Sequence, residues 1–329
     1  MIHWQTHHAD HFRNTKVLVT GAAGFIGSHL TQALVALGAK VVGLDDLSGG
    51  DWNNLAGFDA TVEKITGSIL DTATLNRAAA DCKFVFHLAA LGSVPRSVEQ
   101  PDLYCQVNDI GTVNVLQAAH RNNVHRVMFS ASSSAYGDPP QDTAKVETMS
   151  TLPRSPYAST KVAGESHMRA WYHSYNLDTV SLRYFNIFGP RQNANSAYAA
   201  VIAAFAKTMI AGSPGTIFGD GSQSRDFTFV ANAVHANLLA ARAVGPIGGE
   251  IINVATGRRI NVLKLHQDMA AIFAHPEWKP TLKPVRAGDV LHSLADISKA
   301  ARFLGYKPLI DFETGLKSTV AWYRQNLAI

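Results

Sequence analysis

The sequence predicts an α/β protein: a doubly wound parallel sheet with a smaller, mixed α/β lobe interleaved into it. Three observations carry this. A short apolar strand runs through a glycine-rich turn into a helical stretch between Lys16 and Leu37. Further short apolar strands then alternate with helical stretches as far as Arg183, the pattern of right-handed crossovers in a parallel sheet. Beyond that point the alternation breaks into scattered helices, short strands and Pro/Gly turns. The expected division is a dinucleotide-binding domain over 1–183, with 1–15 as an extension, and a mainly substrate-binding lobe over 184–329 that sends segments back to the first.

The extension holds four histidines, His3, His7, His8 and His11, with no helical or strand register behind them. It reads as a frayed polar terminus rather than a metal site. Lys16–Thr20 is the first strand, and Gly21, Gly24 and Gly27 follow at dinucleotide-binding spacing. The first allows a tight turn, the second lets the backbone approach a pyrophosphate, and the third seats the helix against the strand. The N–H groups at the helix start then face the phosphates. The second strand, Lys40–Leu44, ends at Asp45 and Asp46. An acid there accepts from an adenosine ribose, and two carboxylates repel a 2′-phosphate, so NAD is expected over NADP. Either acid could instead serve the turn before Ser48.

Strands follow at Thr61–Ile65, Phe84–Leu88 and Arg126–Ser130, with a long helix from about Gln100 to Asn122 between the last two. Asn108 within it faces either solvent or cofactor. Ser130, Ser132, Ser133 and Ser134 crowd the carboxyl end of a strand, the edge where open α/β sheets bind ligands. Ser132 either caps that strand end or offers a hydroxyl to a reacting carbinol; the residues downstream favour the second.

Those residues are Tyr157 and Lys161, in Ser155-Pro-Tyr-Ala-Ser-Thr-Lys161. Ser155 reads as a helix cap with Pro156 in the first turn. Tyr and Lys four apart share a helix face. A phenol of pKa roughly 10 is a poor base near neutrality, and a nearby ammonium is expected to pull it down.

Mild net charge of +4 with scattered Lys and Arg argues against nucleic acid and fits a small anionic ligand. Cys82 and Cys105 supply neither a disulfide framework nor zinc-ligand spacing. With no apolar leader and no run of 18 apolar residues, the expectation is a cytoplasmic protein without a membrane partner.

Taken together, GAAGFIG, DDLSGG, FHLAA, SSSAYG, YASTK, RYFNIFGPR, GDGSQSRDF and RAGDVLHSLAD, in that order, resemble the extended short-chain dehydrogenase/reductases. Within that family the chain is most similar to the nucleotide-sugar 4-epimerases, in particular bacterial UDP-N-acetylglucosamine 4-epimerases of surface-polysaccharide synthesis. The likeness runs from about Lys16 to Arg324. It implies a Rossmann domain with bound NAD and a UDP-sugar substrate. It makes Tyr157 the base, Lys161 its tuner and ribose ligand, and Ser132 the bridge to the sugar. The cofactor site it implies comprises Gly21, Gly24, Phe25, Ile26, Gly27, Asp45, Asp46, Leu47, Ser48, Ser68, Ile69, Leu88, Ala89, Asn108, Ser130 and Tyr184, with Tyr157 and Lys161. Gly92, Ser133, Asn186, Ala200, Phe218, Arg225, Arg286, Asp289 and Ser293 would join Ser132 and Tyr157 around the substrate. Phe218 would stack on uracil, and Arg225 and Arg286 would fork onto phosphates. Serine at 293, where a bulky Tyr restricts the family to plain hexoses, leaves room for an N-acetyl group.

The chain departs from the family at Ser68, where an Asp usually meets the adenine, at Gly92, which can be Lys, and at Asn232, in place of Asp. A 4,6-dehydratase would carry Asp-Glu where Ser133 and Ser134 stand. A 4-epimerase or decarboxylase acting on a uronic acid, and a UDP-glucose epimerase, stay open. A non-catalytic NAD sensor is disfavoured by the intact Ser132, Tyr157 and Lys161. Apolar stripes on the 100–122 and 157–175 helices, the second including Val162, Met168 and Trp171, imply a homodimer through those helices.

Overall fold

A computed structural model of the chain describes residues 2–138, 143–194, 200–285 and 291–327. Seven strands form one sheet: β1 Lys16–Thr20, β2 Lys40–Asp45, β3 Val62–Thr66, β4 Phe84–His87, β5 Arg126–Ser132, β6 Asp178–Tyr184 and β7 Glu250–Val254. Their spatial order is β7-β6-β5-β4-β1-β2-β3, and every pairing is parallel. The order reverses between β1 and β4, which opens a crevice at the carboxyl ends of those strands. β7 comes from the second half of the chain and completes the sheet beside β6.

Both faces of the sheet are covered, as strand alternation requires. Val17 and Val19 point into one core with Leu30 and Leu34 of the helix Phe25–Ala36 and Leu238 of the helix Val230–Arg242. Leu18 points the other way, into a second core with Leu75, Leu116 and Phe129. A third core, built on Phe188, Ile202, Phe205, Leu265 and Val320, belongs to the smaller lobe. Short strand pairs surround that core: Thr216–Phe218 with Thr281–Lys283, Ser224–Arg225 with Ile260–Asn261, and Ile187–Phe188 with Thr228–Phe229.

Three expectations are corrected. The N-terminal segment is not frayed: Trp4–His8 is a helix, and His8 is fully buried with its Nε2 3.0 Å from His235 Nδ1. Gln5 also bonds to the Ala36 carbonyl. The apolar faces of Trp4 and Phe12 bring His8 inside, while His3, His7 and His11 stay exposed, and polarity alone does not reveal this. The 100–122 stretch is not one regular helix. It runs as Pro101–Tyr104, a π-turn over Cys105–Ile110, and Gly111–Arg121. Finally, Met168 packs into the core under the sheet with Trp171 against it, so these two residues of the stripe face inward.

Candidate active site

The glycine turn is shaped by close backbone contacts. Gly21 takes φ +72°, and a Cβ on it would meet the Ala89 nitrogen at 2.8 Å; a Cβ on Gly27 would land on the Gly21 carbonyl. Asp45 accepts from the Ala23 N–H and the Leu47 N–H, each at 2.9 Å, so the carboxylate ties β2 to the turn. Burial raises its pKa, which these N–H donors oppose. Asp46 is exposed and caps the Ser48 N–H and hydroxyl. Between these segments lies a cavity of about 400 Å³ lined by Gly21, Gly24, Phe25, Ile26, Gly27, Asp45, Asp46, Ser48, Ile69, Leu88, Ala89, Gly92 and Ser130. This glycine-floored cradle ending in two acids suits a dinucleotide with a free ribose 2′-hydroxyl.

β4 is held against it by a chain of hydrogen bonds. The Thr112 hydroxyl donates to the Asn108 carbonyl at 2.6 Å and therefore accepts from His87 Nε2 at 3.0 Å. His87 Nδ1 then accepts from the Thr20 hydroxyl at 2.8 Å, and Thr20 accepts from the Ala89 N–H at 3.3 Å. Burial pushes the His87 imidazole down to about 3, so it stays neutral.

Tyr157 and Lys161 lie in the first turns of the helix Pro156–Tyr175, which Ser155 caps by accepting from the Ala158 N–H at 3.2 Å. Lys161 is buried. It donates through Nζ to the Ser130 carbonyl at 2.7 Å, and Nζ stands 5.9 Å from the Tyr157 ring centre. Burial lowers the Lys161 ammonium to about 8. Burial also raises the Tyr157 phenol, opposed by a bond to the Ser132 hydroxyl. The sequence expectation of a depressed phenol is thus corrected for the protein alone: desolvation raises it, while the Lys161 ammonium directs a proton at the Ser130 carbonyl. Tyr184 is likewise pushed up to about 12 by burial while its hydroxyl accepts from Asn237 at 2.6 Å.

A larger cavity, about 910 Å³, opens on Tyr157. Its lining includes Gly92, Ser130, Ser132, Ser133, Tyr184, Asn186, Arg225 and Ser293, and also Ser134, Lys145 and Arg154. Phe25, Ile26, Gly92 and Ser130 line both this cavity and the dinucleotide cradle. A third cavity of about 360 Å³ is walled by Ala200, Phe205, Ile217, Phe218 and Phe227, and shares Asn186, Ile187 and Arg225 with the second. Asn186 sits at φ +40° with its amide donating to the Asp226 carbonyl at 3.2 Å. Arg225 Nη1 donates to the Ser224 carbonyl at 2.9 Å and the Leu291 carbonyl at 3.1 Å.

Six expected cofactor residues do not line the cradle: Tyr157 and Tyr184 line the wider cavity instead, Lys161 is buried against Ser130, and Asn108, Leu47 and Ser68 are turned to other partners or to solvent. Asn108 is buried at the π-turn and spends its amide on Leu91, accepting from its N–H at 2.8 Å and donating to its carbonyl at 3.1 Å, and on Thr160 at 3.1 Å. It therefore acts through the 88–92 segment. Leu47 points outward at φ +61°, and the Ser68 hydroxyl is taken by the Leu70 N–H at 3.1 Å. Arg286 and Asp289 lie outside the described residues. Lys145 lies outside the motifs that mark the site in the sequence. Its only sign there is a cation in the Pro/Asp-rich loop before the Tyr157 helix.

Residues 17–255 match the NAD dependent epimerase/dehydratase family. A UDP-glucose 4-epimerase from Mycolicibacterium smegmatis is 40% identical over 316 residues, 94% of this chain and 99% of that one. A Methanobrevibacter ruminantium UDP-N-acetylglucosamine 4-epimerase in complex with UDP-N-acetylmuramic acid superposes with a TM-score of 0.90. It is 40% identical, with coverage of 96% and 100%. A Thermotoga maritima UDP-glucose 4-epimerase with UDP-glucose gives 0.90 at 36% identity, covering 95% and 100%. No helix among the described residues is long and apolar enough to cross a membrane. With the glycine cradle, the paired acids and the Tyr157–Lys161 helix in the places such a protein needs them, the chain belongs to the NAD dependent epimerase/dehydratase family.

Proposed function

We propose that this protein inverts C4 of a UDP-sugar, preferring the N-acetylhexosamines UDP-N-acetylglucosamine and UDP-N-acetylgalactosamine over plain hexoses. One observation carries the reading. Three adjoining cavities run in sequence, with a dinucleotide cradle at one end, an aromatic-walled pocket at the other, and Tyr157 and Ser132 in the wide chamber between them.

The cradle residues from Gly21 to Ser130 would hold NAD, which when bound supplies a reversible store for the C4 hydride. Tyr157, bonded to Ser132, takes the proton from the C4 hydroxyl, leaving a 4-keto sugar, and returns it once the ring has turned over. Lys161 is fixed by Ser130 beside the phenol, close enough to favour its ionised form at the moment of transfer. Asn186 and Arg225, shared by two cavities, hold the diphosphate, and Phe218 packs on the base. Anchoring at that end leaves the hexose free to rotate in the wide chamber. Ser293 is buried there with its hydroxyl unpartnered, and its small volume leaves space for the N-acetyl group.

We also infer a homodimer through the 101–121 and 156–175 helices. Leu103 and Ile110 of the first remain exposed. Light scattering of the purified chain tests it.

The decisive experiment for function is incubation with UDP-N-acetylglucosamine, UDP-glucose and their uronates, followed by NMR of the products. Inversion at C4 is expected, faster for the N-acetylated sugars than for their counterparts without the N-acetyl group. No inversion of any UDP-sugar by protein carrying NAD would overturn the proposal.

A further inference from the structure

Lys145 is held on a fixed strip of backbone beside Ser293. Its N–H donates to the Leu294 carbonyl at 2.8 Å, and its carbonyl accepts from the Asp296 N–H at 3.0 Å and the Asn253 amide at 2.8 Å. The residue is 2% exposed and lines the wide chamber. Its ammonium is poorly served there. Among the described residues Nζ reaches one acceptor, the Gly137 carbonyl, at 3.4 Å, and stands 5.9 Å from the Tyr136 ring centre. It makes no ion pair with any described residue. Asp138, the acid that favours its charge, is bonded to Arg154 at 3.4 Å. Burial, reinforced by the charge of Arg225, lowers the Lys145 ammonium to about 8.

A buried cation with one long hydrogen bond is costly, and such groups normally find a counter-charge. A methionine would fill the same volume without that cost. Among the described residues no anion pairs with it, which leaves that place to an anion on the ligand. Cavity lining favours the hexose over the diphosphate as its source: the residues common to the wide chamber and the aromatic-walled pocket are Asn186, Ile187 and Arg225. Lys145 lines the wide chamber, as do Ser133, Ser134 and Tyr157, and not the aromatic-walled pocket.

We propose that Lys145 is a specificity-determining cation for a carboxylate on the hexose, so that the site is built for acidic UDP-N-acetylhexosamines. This rests on the reading that the hexose occupies the chamber beside Tyr157. Two placements of the acid share the chemistry: a carboxyl at C6, or a carboxyalkyl ether on O3, next to the N-acetyl group that Ser293 accommodates.

Isothermal titration of the NAD-loaded protein with UDP, UDP-N-acetylglucosamine, its C6 uronate and its 3-O-carboxyalkyl ether tests this. Wild-type protein is expected to bind one acid roughly 10- to 100-fold more tightly than the neutral sugar, the scale of a charge-assisted hydrogen bond. Which acid gains identifies the placement. Lys145→Met should abolish that ratio and Lys145→Arg should keep part of it. Equal affinities in the wild type overturn the proposal without any variant. So does a preference that survives Lys145→Met, or a loss in that variant as large for UDP as for the acids, which would place the cation at the diphosphate. NMR of the same sugars separates the two claims: an acid preference without C4 inversion removes the proposed reaction and leaves Lys145 its role.

Discussion

Lys161 donates to the carbonyl of Ser130, so the ammonium on the Tyr157 helix is moored to the strand end that leads to Ser132. One 2.7 Å bond thereby sets the relative position of base, cation and bridging hydroxyl. Tyr157→Phe keeps the packing and removes the proton carrier. C4 inversion is expected to fall by roughly 10²- to 10⁴-fold, with NAD still bound. Because burial raises the phenol, kcat/KM should climb with pH without a plateau below the ordinary phenol value of roughly 10, and should lie lower at each pH in Lys161→Met. Stopped assays up to that value check both; a flat profile would show that another group takes the proton.

Ser293 occupies the wall where extra volume would meet a substituent on the sugar. Ser293→Tyr should lower the ratio of kcat/KM for UDP-N-acetylglucosamine over UDP-glucose by roughly 10- to 100-fold. An unchanged ratio would remove Ser293 from the account of specificity.

Asp45 accepts two backbone N–H groups in a buried setting. Asp45→Asn replaces one acceptor by a donor, which costs about 1–3 kcal/mol of stability. It also removes the charge that excludes a 2′-phosphate. Thermal melts should fall, and titration with NAD and NADP should show their affinities converging.

His8 and His235 are held neutral by burial, at about 3 and about 4, with His7 and Arg242 pressing both the same way and His11 adding to His8. Both folded values lie below the unfolded 6.5. The folded chain therefore binds fewer protons in that window, and stability is full above pH 6.5 and declines as pH falls towards 4. Tm measured from pH 7.5 downwards should drop steeply, and less steeply in His8→Phe. Equal slopes would place the acid sensitivity elsewhere.

Much of this fold is legible residue by residue. Strands buried on both faces read as short apolar runs, so β1, β2, β4 and β5 stand out, and the glycine spacing marks the turn without reference to anything distant. The candidate site is legible where a role depends on chemistry and local spacing, as for Tyr157, Lys161 and Ser132. What escapes depends on tertiary surroundings. The burial of His8 needs His235, more than 200 residues away, to be seen. The shift of the Tyr157 phenol depends on how much water the surrounding chain removes. Asn108 looks like a cofactor ligand until the π-turn over Cys105–Ile110 gives its amide to Leu91 and Thr160. Lys145 looks like a solvated loop residue until the strip near Ser293 closes over it.

The late arrival of β7 at the edge of the sheet bears on how the chain is made. Until residue 254 has left the ribosome, β6 presents an open edge of N–H and C=O groups. A fragment ending near 183 would carry that edge permanently, and self-association is its natural fate. The nucleotide-binding half is thus a poor candidate for separate expression, and its solubility depends on a strand supplied by the other half.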